Sequence, residues 1–226
     1  MSGEHLINAA PARPVVATDG EDATLTGLRS TRQFYETHAE IYARATLPSR
    51  MPNLWGEMEA RLPTGSRILD VGAGAGRDLR RLSVCGYQMV GIDLSFPLMR
   101  IATRISNCPT VVADMRSLPF PSHIFDGVWS IASLLHIART EIVPTLEVIR
   151  AVMKEGGIFL ASVRAGRGEF MDANGRLLVL YTMHEWRDAL RESGFCCETC
   201  EREVKPSVTV GAENERIEWL VSVATA

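Results

Sequence analysis

From Arg67 to residue 163, short apolar stretches alternate with helical segments, and this alternation is the strongest constraint on the fold. Five stretches are predicted to be strands, and three of the segments between them to be helices. In chain order, the strands are 67–71, 87–92, 109–112, 125–131 and 157–163, and the helices are 76–84, 96–105 and 141–153. Apolar strands that alternate with helices form a mostly parallel sheet covered on both faces. The predicted fold class is therefore α/β.

The segments that flank this alternation differ from it in pattern. Residues 1–28 show little periodicity, so we expect a mobile leader. Residues 29–62 predict two helices, at 29–46 and 53–61. Residues 164–182 are rich in glycine and predict a loop or hairpin over one end of the sheet. A helix with a capping box at Thr182 and Glu185, and strands at 195–203 and 216–224, complete the chain.

Composition narrows the class of protein. The 226 residues are 46% hydrophobic with a formal net charge of −3, which argues against a disordered chain and against a general nucleic-acid binder. No apolar run approaches the 18 or so residues of a membrane span, and the first ten residues lack the pattern of a secretory signal. Five cysteines then predict reduced thiols and a cytoplasmic location.

A glycine-rich turn, Asp70-Val71-Gly72-Ala73-Gly74-Ala75-Gly76, follows the first predicted strand and opens a helix. Glycines allow positive φ and a close approach of the backbone to a ligand. In such sheets, ligands bind beyond the carboxyl ends of the strands. The dinucleotide fingerprint needs a third glycine where this chain has Arg77, which argues against an NAD-dependent oxidoreductase.

The turn instead reads acid-x-Gly-x-Gly-x-Gly, which resembles the first motif of the class I S-adenosylmethionine (SAM) dependent methyltransferases. Four further segments resemble later motifs in the same order: Val90–Ser95, Ala113–Arg116, Leu118–Phe120 and Lys154–Gly157. The resemblance implies one domain over 29–226, built on a Rossmann-like seven-stranded sheet whose last strand is antiparallel. It also implies a helical lid over 29–62, SAM as cofactor and S-adenosylhomocysteine as product.

Several residues are candidates for the nucleoside half of the cofactor. Asp93 ends the second strand, where a carboxylate can accept hydrogen bonds from ribose hydroxyls. The resemblance gives Asp93 this role and places Leu94 on the adenine face. It also has Asp114 accept from the adenine amino group, with the Met115 backbone N–H facing the ring.

The zwitterionic methionine half needs both an acceptor and donors. The residues that the resemblance or their position assigns to it are Asp70, Gly72, Gly74 and Arg77. In similar enzymes an N-terminal helix covers SAM and contributes a tyrosine, so Tyr35 and Tyr42 are candidates. Core packing is an equal alternative for both tyrosines.

Methyl transfer requires nucleophile, methyl group and sulfur in a row, with water excluded. The segment from Ser130 to His136 leaves the fourth strand toward this region, so Ser130 is a candidate cofactor contact. His136 is the candidate base, because imidazole titrates near neutrality, although it could simply line the pocket. The candidates for the acceptor pocket are Trp55, Arg164, Phe170 and Tyr181.

The chain lacks the Asn/Asp-Pro-Pro-aromatic and Pro-Cys motifs of nucleic-acid methylases, which favours a small-molecule acceptor. O-methylation is the first expectation, followed closely by N- or C-methylation. The open alternatives are a non-catalytic SAM-binding or partner-binding protein, a nucleic-acid methylase and an NAD-dependent oxidoreductase.

On a regular strand Cys197 and Cys200 face opposite sides, so these cysteines predict no metal site. We expect no membrane or nucleic-acid partner, and a monomer or homodimer.

Overall fold

The computed structural model describes residues 13–14, 20–206 and 216–226. Most of the predicted leader lies outside the described residues, but its last part does not. The first helix begins at Gly20, nine residues earlier than predicted. The predicted helix 29–46 is divided at His38, whose backbone angles depart from helical values.

Among the described residues the chain has seven α-helices and ten strands. The helices are α1 (Gly20–Thr37), α2 (Ala39–Thr46), α3 (Pro52–Arg61), α4 (Arg77–Val84), α5 (Phe96–Ser106), α6 (Ile142–Val152) and α7 (Met183–Glu192). The strands are β1 (Arg13–Pro14), β2 (Arg67–Val71), β3 (Gln88–Asp93), β4 (Thr110–Val112), β5 (Phe125–Ile131), β6 (Met153–Ala165), β7 (Gly168–Met171), β8 (Leu177–Tyr181), β9 (Cys196–Pro206) and β10 (Arg216–Thr225). One-turn 3-10 helices lie at Leu134–His136 and Arg139–Glu141.

The seven predicted strands lie side by side in the order β4-β3-β2-β5-β6-β10-β9. The pairs from β4 to β6 are parallel, and the last strand, β10, runs antiparallel to both of its neighbours. The mostly parallel α/β sheet with an antiparallel last strand is therefore confirmed. The strand count is not, because β1, β7 and β8 enlarge the sheet to ten strands.

The added strands stand above the carboxyl end of β5. Strand β5 pairs with β6 as far as Ser162, whereas β8 pairs with Arg164 and Ala165. Because β10 occupies the other side of Arg164, β8 continues the sheet on the side where β5 has ended. The β7–β8 hairpin thus forms a wall above the strand that leads to His136.

Helices bury an apolar layer on each face of the sheet. Leu146 and Ile149 of α6 and Trp186 of α7 pack with Phe159 on one face. On the other face, α3, α4 and α5 contribute Met58, Leu79, Leu82 and Met99. None of the helices in the described part of the chain is long and apolar enough to cross a membrane.

Local sequence signals account for two helix starts near the site. The Ser95 hydroxyl accepts from the Leu98 amide at 3.4 Å and begins α5. At α7, the Thr182 hydroxyl accepts from the Glu185 amide, and the Glu185 carboxylate accepts from the Thr182 amide, which is the predicted capping box.

Candidate functional site

A cavity that is partly open to solvent lies at the carboxyl ends of the parallel strands, and its empty space, counted with the open mouth, is about 700 Å³. Its walls are the glycine turn, the ends of β3 and β4, the segment after β5, and residues of α1 and α2. The predicted lid over 29–62 is too long. Helices α1 and α2 contribute lining residues, but α3 contributes none and packs into the core with α4 and α5. The candidate site therefore joins the cofactor motif to the N-terminal helices.

The glycine turn closes against two neighbouring elements. Gly72 has a φ of +78°, and a Cβ there would overlap the Ser133 side chain and lie 2.9 Å from its hydroxyl oxygen. Gly76 has a φ of +85°, and a Cβ there would lie 2.8 Å from the Ala102 Cα. Only glycine combines this backbone conformation with so little space.

Asp93 has a fixed orientation at the end of β3. One carboxylate oxygen accepts from the Gly74 amide at 3.1 Å, and the other accepts from the Ser95 amide at 2.9 Å. Burial raises the pKa of Asp93, while the backbone N–H groups of Ser95, Gly74 and Leu94 act in the opposite direction. Asp93 and Leu94 both line the cavity.

Asp114 and Met115 also line the cavity, beside the end of β4. The Asp114 carboxylate accepts from Arg116 at 2.8 Å, and Arg116 also binds Glu141 at 2.8 Å. Burial alone would raise the pKa of Asp114, but the hydrogen bonds and charge of Arg116 lower it overall. Asp114 therefore stays ionised, held by an arginine to which sequence analysis assigned no role.

Asp70 lies on β2 just before the glycine turn, is 2% exposed and is not among the residues that line the cavity. Among the described residues, its Oδ2 atom has no hydrogen-bond partner. Burial and the nearby Asp78 charge raise its pKa, although the charge of Arg77 opposes this. A buried carboxylate oxygen without a donor fits a cationic group bound beside the turn.

Arg77 does not take the role predicted for it. Its guanidinium donates to Asp78 at 2.6 Å and to the Met51 sulfur at 3.3 Å, and Arg77 does not line the cavity. Asp78 also accepts from the indole N–H groups of Trp55 and Trp129, at 2.9 and 3.1 Å. Arg77 is thus engaged in a buried network around the Asp78 carboxylate.

Tyr35 and His136 meet across one end of the cavity. The Tyr35 hydroxyl lies 2.9 Å from His136 Nε2, and the Tyr42 ring packs edge-on against Tyr35 with centroids 5.1 Å apart. The other ring nitrogen of His136 lies 2.7 Å from the Leu177 carbonyl oxygen. Burial lowers the pKa of His136 to about 4, so the ring is neutral near pH 7.

The segment after β5 approaches the turn through serines. Ser130 is completely buried, and its hydroxyl lies 2.8 Å from that of Ser133, which donates to the Val71 carbonyl at 2.7 Å. Ser130 therefore does not line the cavity as a predicted cofactor contact would; it bonds to Ser133, which lines the cavity together with Ala132. Ala132 has a φ of +56°, an uncommon conformation for a residue other than glycine.

The structure places the four acceptor-pocket candidates away from the cavity lining. Trp55 is bonded to Asp78 in the core, because its indole N–H needs a buried acceptor. Tyr181 is 1% exposed and packs against Trp186, with ring centroids 5.5 Å apart. Arg164 lies on β6 and Phe170 on β7. None of the four residues therefore has the predicted position on the cavity wall.

Helix α1 instead supplies lining residues that sequence analysis missed: Leu28, Thr31 and Arg32. Together with Tyr35 they show the i, i+3, i+4, i+7 spacing of one helical face. That signal was present, but the predicted leader ended at Leu28 and hid its first member.

The cysteine prediction needs one correction. A bulge in the β9–β10 register pairs Cys200 with Ser222 and Cys197 with Ala224, so both thiols lie on one face of the sheet. Burial raises the pKa of both thiols, while the charge of Arg187 acts in the opposite direction. Among the described residues, no cluster of three or more His, Cys, Asp or Glu residues is suited to hold a metal ion.

Residues 68–157 match the family model described as "Methyltransferase domain". The chain is 29% identical over 155 residues to tRNA (carboxymethyluridine(34)-5-O)-methyltransferase of Arabidopsis thaliana, covering 65% of this chain and 37% of that protein. It is 28% identical over 195 residues to 27-O-demethylrifamycin SV methyltransferase of Amycolatopsis mediterranei (strain S699), and the match covers 75% of this chain and 70% of that protein. The chain spans about half or less of the length of several other curated relatives.

Among solved structures, the fold is similar to 1,6-didemethyltoxoflavin-N1-methyltransferase of Burkholderia thailandensis, crystallised with 1,6-didemethyltoxoflavin and S-adenosylhomocysteine. The TM-score is 0.70 at 22% identity, over 98% of this chain and 97% of that chain. Motifs, sheet order and family match agree. Residues 68–157 therefore carry a methyltransferase domain, in a chain with the fold of the class I SAM-dependent methyltransferases, and SAM is the cofactor of that family.

Proposed function

We propose that the chain transfers the methyl group of SAM to a small-molecule acceptor and releases S-adenosylhomocysteine. Oxygen is the first acceptor atom we expect, and nitrogen or carbon follow. The observation that carries the small-molecule proposal is that α1 is bonded to the β7–β8 turn over the cavity. Ser30 donates to the Gly175 carbonyl at 2.6 Å, and the Leu177 amide donates to Thr31 at 2.8 Å.

The cavity-lining residues suit the nucleoside half of the cofactor, and Asp70, which lies outside the lining, suits its ammonium group. Asp93 would accept from the ribose hydroxyls, with Leu94 and Met115 beside the adenine and Asp114 at its amino group. Asp70 offers an unpartnered carboxylate oxygen to the ammonium group. When bound, SAM supplies an electrophilic methyl group on a sulfonium. This chain's own residues hold the reactants in line and exclude water from them.

His136 remains the candidate base, but its contact with the acceptor would be indirect. Its Nε2 atom faces the Tyr35 hydroxyl, so a proton from the acceptor would reach the imidazole through Tyr35. A pKa of about 4 makes His136 a weak base. The proposal is therefore that alignment contributes most of the rate enhancement and that the Tyr35–His136 pair assists proton removal.

A nucleic-acid acceptor is the second candidate, because tRNA methyltransferases are among the relatives. A polymer would have to displace the contact between α1 and the hairpin turn to reach His136. The net charge of −3 also disfavours it. The NAD-dependent and non-catalytic alternatives are separated by the experiment below.

The test has a binding arm and a transfer arm. Calorimetry compares SAM, S-adenosylhomocysteine and NAD⁺, and we expect only the first two to bind. The chain is then incubated with methyl-labelled SAM and either a small-metabolite filtrate or total RNA, with Asp93→Ala as the inactive control. Label in small molecules supports the proposal, whereas label in RNA alone refutes its acceptor class. SAM binding without transfer in either fraction indicates a non-catalytic protein, and NAD⁺ binding alone would refute the cofactor assignment.

A further inference from the structure

Arg116 holds the Asp114 carboxylate with both its backbone and its side chain. The Arg116 amide donates to Oδ1 of Asp114 at 2.9 Å, and Nη2 donates to Oδ2 at 2.8 Å. The Nε atom of Arg116 lies 3.1 Å from both oxygens. A guanidinium that binds both oxygens of a carboxylate fixes its orientation as well as adding a charge-assisted bond. Asp114 is therefore held in one orientation by Arg116.

Glu141 holds the Arg116 guanidinium from another side. The Nη1 atom of Arg116 donates to the two Glu141 carboxylate oxygens, at 3.0 and 2.8 Å. Glu141 is the last residue of the second 3-10 helix, so Arg116 joins the loop after β4 to the segment that follows β5. Asp114 lines the cavity, whereas Arg116 and Glu141 do not. Arg116 can therefore act on a ligand in the cavity only through Asp114.

The hydrogen-bonding capacity of Asp114 is nearly, but not completely, used. An ionised carboxylate has about four lone-pair sites and no hydrogen to donate. Three N–H groups of Arg116 bind to it, so it has room for about one more donor. Burial raises the pKa of Asp114, but the hydrogen bonds and charge of Arg116 together lower it, so the carboxylate stays ionised. Asp114 can therefore accept one further hydrogen and cannot donate one.

We infer that Arg116 is a positioning residue that makes Asp114 a fixed acceptor for one hydrogen, and that it thereby sets the selectivity of the site for a 6-aminopurine nucleoside. The inference rests on the proposed function, which places Asp114 at the adenine amino group, and deepens it. The amino group supplies the hydrogen for which Asp114 has room. A site built to bind an N–H group rejects an analogue that lacks it, because its own polar group is then left without a partner.

The first test compares S-adenosylhomocysteine with its 6-deamino analogue, in which hydrogen replaces the purine amino group. The two ligands share every other group, so contributions from Asp70 and Asp93 cancel in the ratio of their dissociation constants. Calorimetry should show that the wild type prefers S-adenosylhomocysteine by about tenfold to a hundredfold, the range for a hydrogen bond to a charged group. In Arg116→Met the carboxylate is free to turn away, and the preference should fall to about threefold or less. Equal binding of the two ligands by the wild type, or an unchanged preference in Arg116→Met, overturns the inference.

The second test reads the Asp114 carboxyl group directly, by NMR of the ligand-free chain labelled with ¹³C in its aspartate side chains, with Asp114→Asn to assign the signal. The wild-type carboxyl should not titrate above about pH 5, since its pKa is lowered from the ordinary value. In Arg116→Met its titration should move to higher pH, because burial is then opposed only by the backbone amide. Arg116→Lys keeps the charge but not the planar fork, so it should restore the wild-type titration and only part of the ligand preference. A wild-type carboxyl that titrates above pH 5, or an unchanged titration in Arg116→Met, overturns the inference without any ligand.

Arg61→Met is the matched control for both tests. Arg61 also pairs with two carboxylates, those of Glu57 and Glu198, and its side chain is 26% exposed against 22% for Arg116. The variant should leave the ligand preference and the Asp114 signal unchanged, and effects as large as those of Arg116→Met would overturn the inference. If the wild type binds neither ligand, the proposed function fails, while the NMR result still reports whether Arg116 holds Asp114.

Discussion

At the scale of single residues, the site depends on side chains whose orientation is set by backbone amides. Asp93 is the clearest case, because the Gly74 and Ser95 amides each bind one of its oxygens. The carboxylate is therefore held in one orientation at the wall of the cavity. Sequence position alone indicated this residue, since it ends a strand beside the glycine turn.

Replacing Asp93 with Asn should weaken S-adenosylhomocysteine binding about tenfold to a hundredfold. The amide brings one NH₂ group against backbone donors and removes the charge that strengthens the hydrogen bonds. Calorimetry measures the change. Asp126→Asn is the control, because Asp126 lies at the other end of the sheet, bound to Lys154. Equal affinities for wild type and Asp93→Asn would remove Asp93 from the cofactor site.

Gly72→Ala should destabilise the fold by about 1–3 kcal/mol more than Gly65→Ala. Both glycines have a positive φ, +78° and +92°, so the backbone strain is shared. Only at Gly72 does the new Cβ meet a neighbour, Ser133, whereas at Gly65 nothing lies within 4 Å. Urea unfolding gives both free energies. Equal losses would show that the turn can move away from Ser133.

At the scale of elements, the contact between α1 and the β7–β8 turn closes the candidate site. Sequence periodicity predicted the helix and glycine content predicted the turn, each from local signals. Neither signal indicated that the two elements touch, because Thr31 and Leu177 are 146 residues apart. The same limit applies to Asp78, whose indole partners lie 23 and 51 residues away.

Thr31→Val tests this contact. Valine has nearly the shape of threonine but leaves the buried Leu177 amide without its acceptor, which should cost about 1–3 kcal/mol. Hydrogen exchange should increase in α1 and in residues 172–177. Thr140→Val, at an exposed position, is the control and should change neither. Unchanged exchange in α1 would mean that other contacts hold the helix over the cavity.

At the scale of the whole molecule, buried ionisable groups couple stability to pH. The folded pKa of His136, about 4, lies below the ordinary value of 6.5. Below about pH 6.5 the unfolded chain binds a proton that the folded chain does not, so this group makes the fold less stable as pH falls. Asp70 has the opposite effect, because its pKa is raised in the folded state.

The variant His136→Gln isolates one of these effects. Between about pH 7.5 and pH 5, the wild type should lose up to about 2 kcal/mol more unfolding free energy than this variant. Chemical denaturation at several pH values measures the difference, and the Asp70 contribution cancels in the comparison. His184→Gln is the control, since that side chain is 88% exposed. Parallel pH profiles for wild type and His136→Gln would contradict a neutral imidazole with a lowered pKa at this position.

Sequence alone predicted seven of the ten described strands in their chain order, the glycine turn and the place of Asp93 at the end of a strand, because periodicity, positive φ and strand ends are local properties of the chain. The tertiary structure decided which side chains meet. It brought Tyr35 to His136 across 101 residues, engaged Arg77 with Asp78, moved Trp55 into the core and, through one bulge, turned Cys197 and Cys200 to the same face. Such pairings depend on how elements pack, and no short-range pattern in a single sequence encodes that.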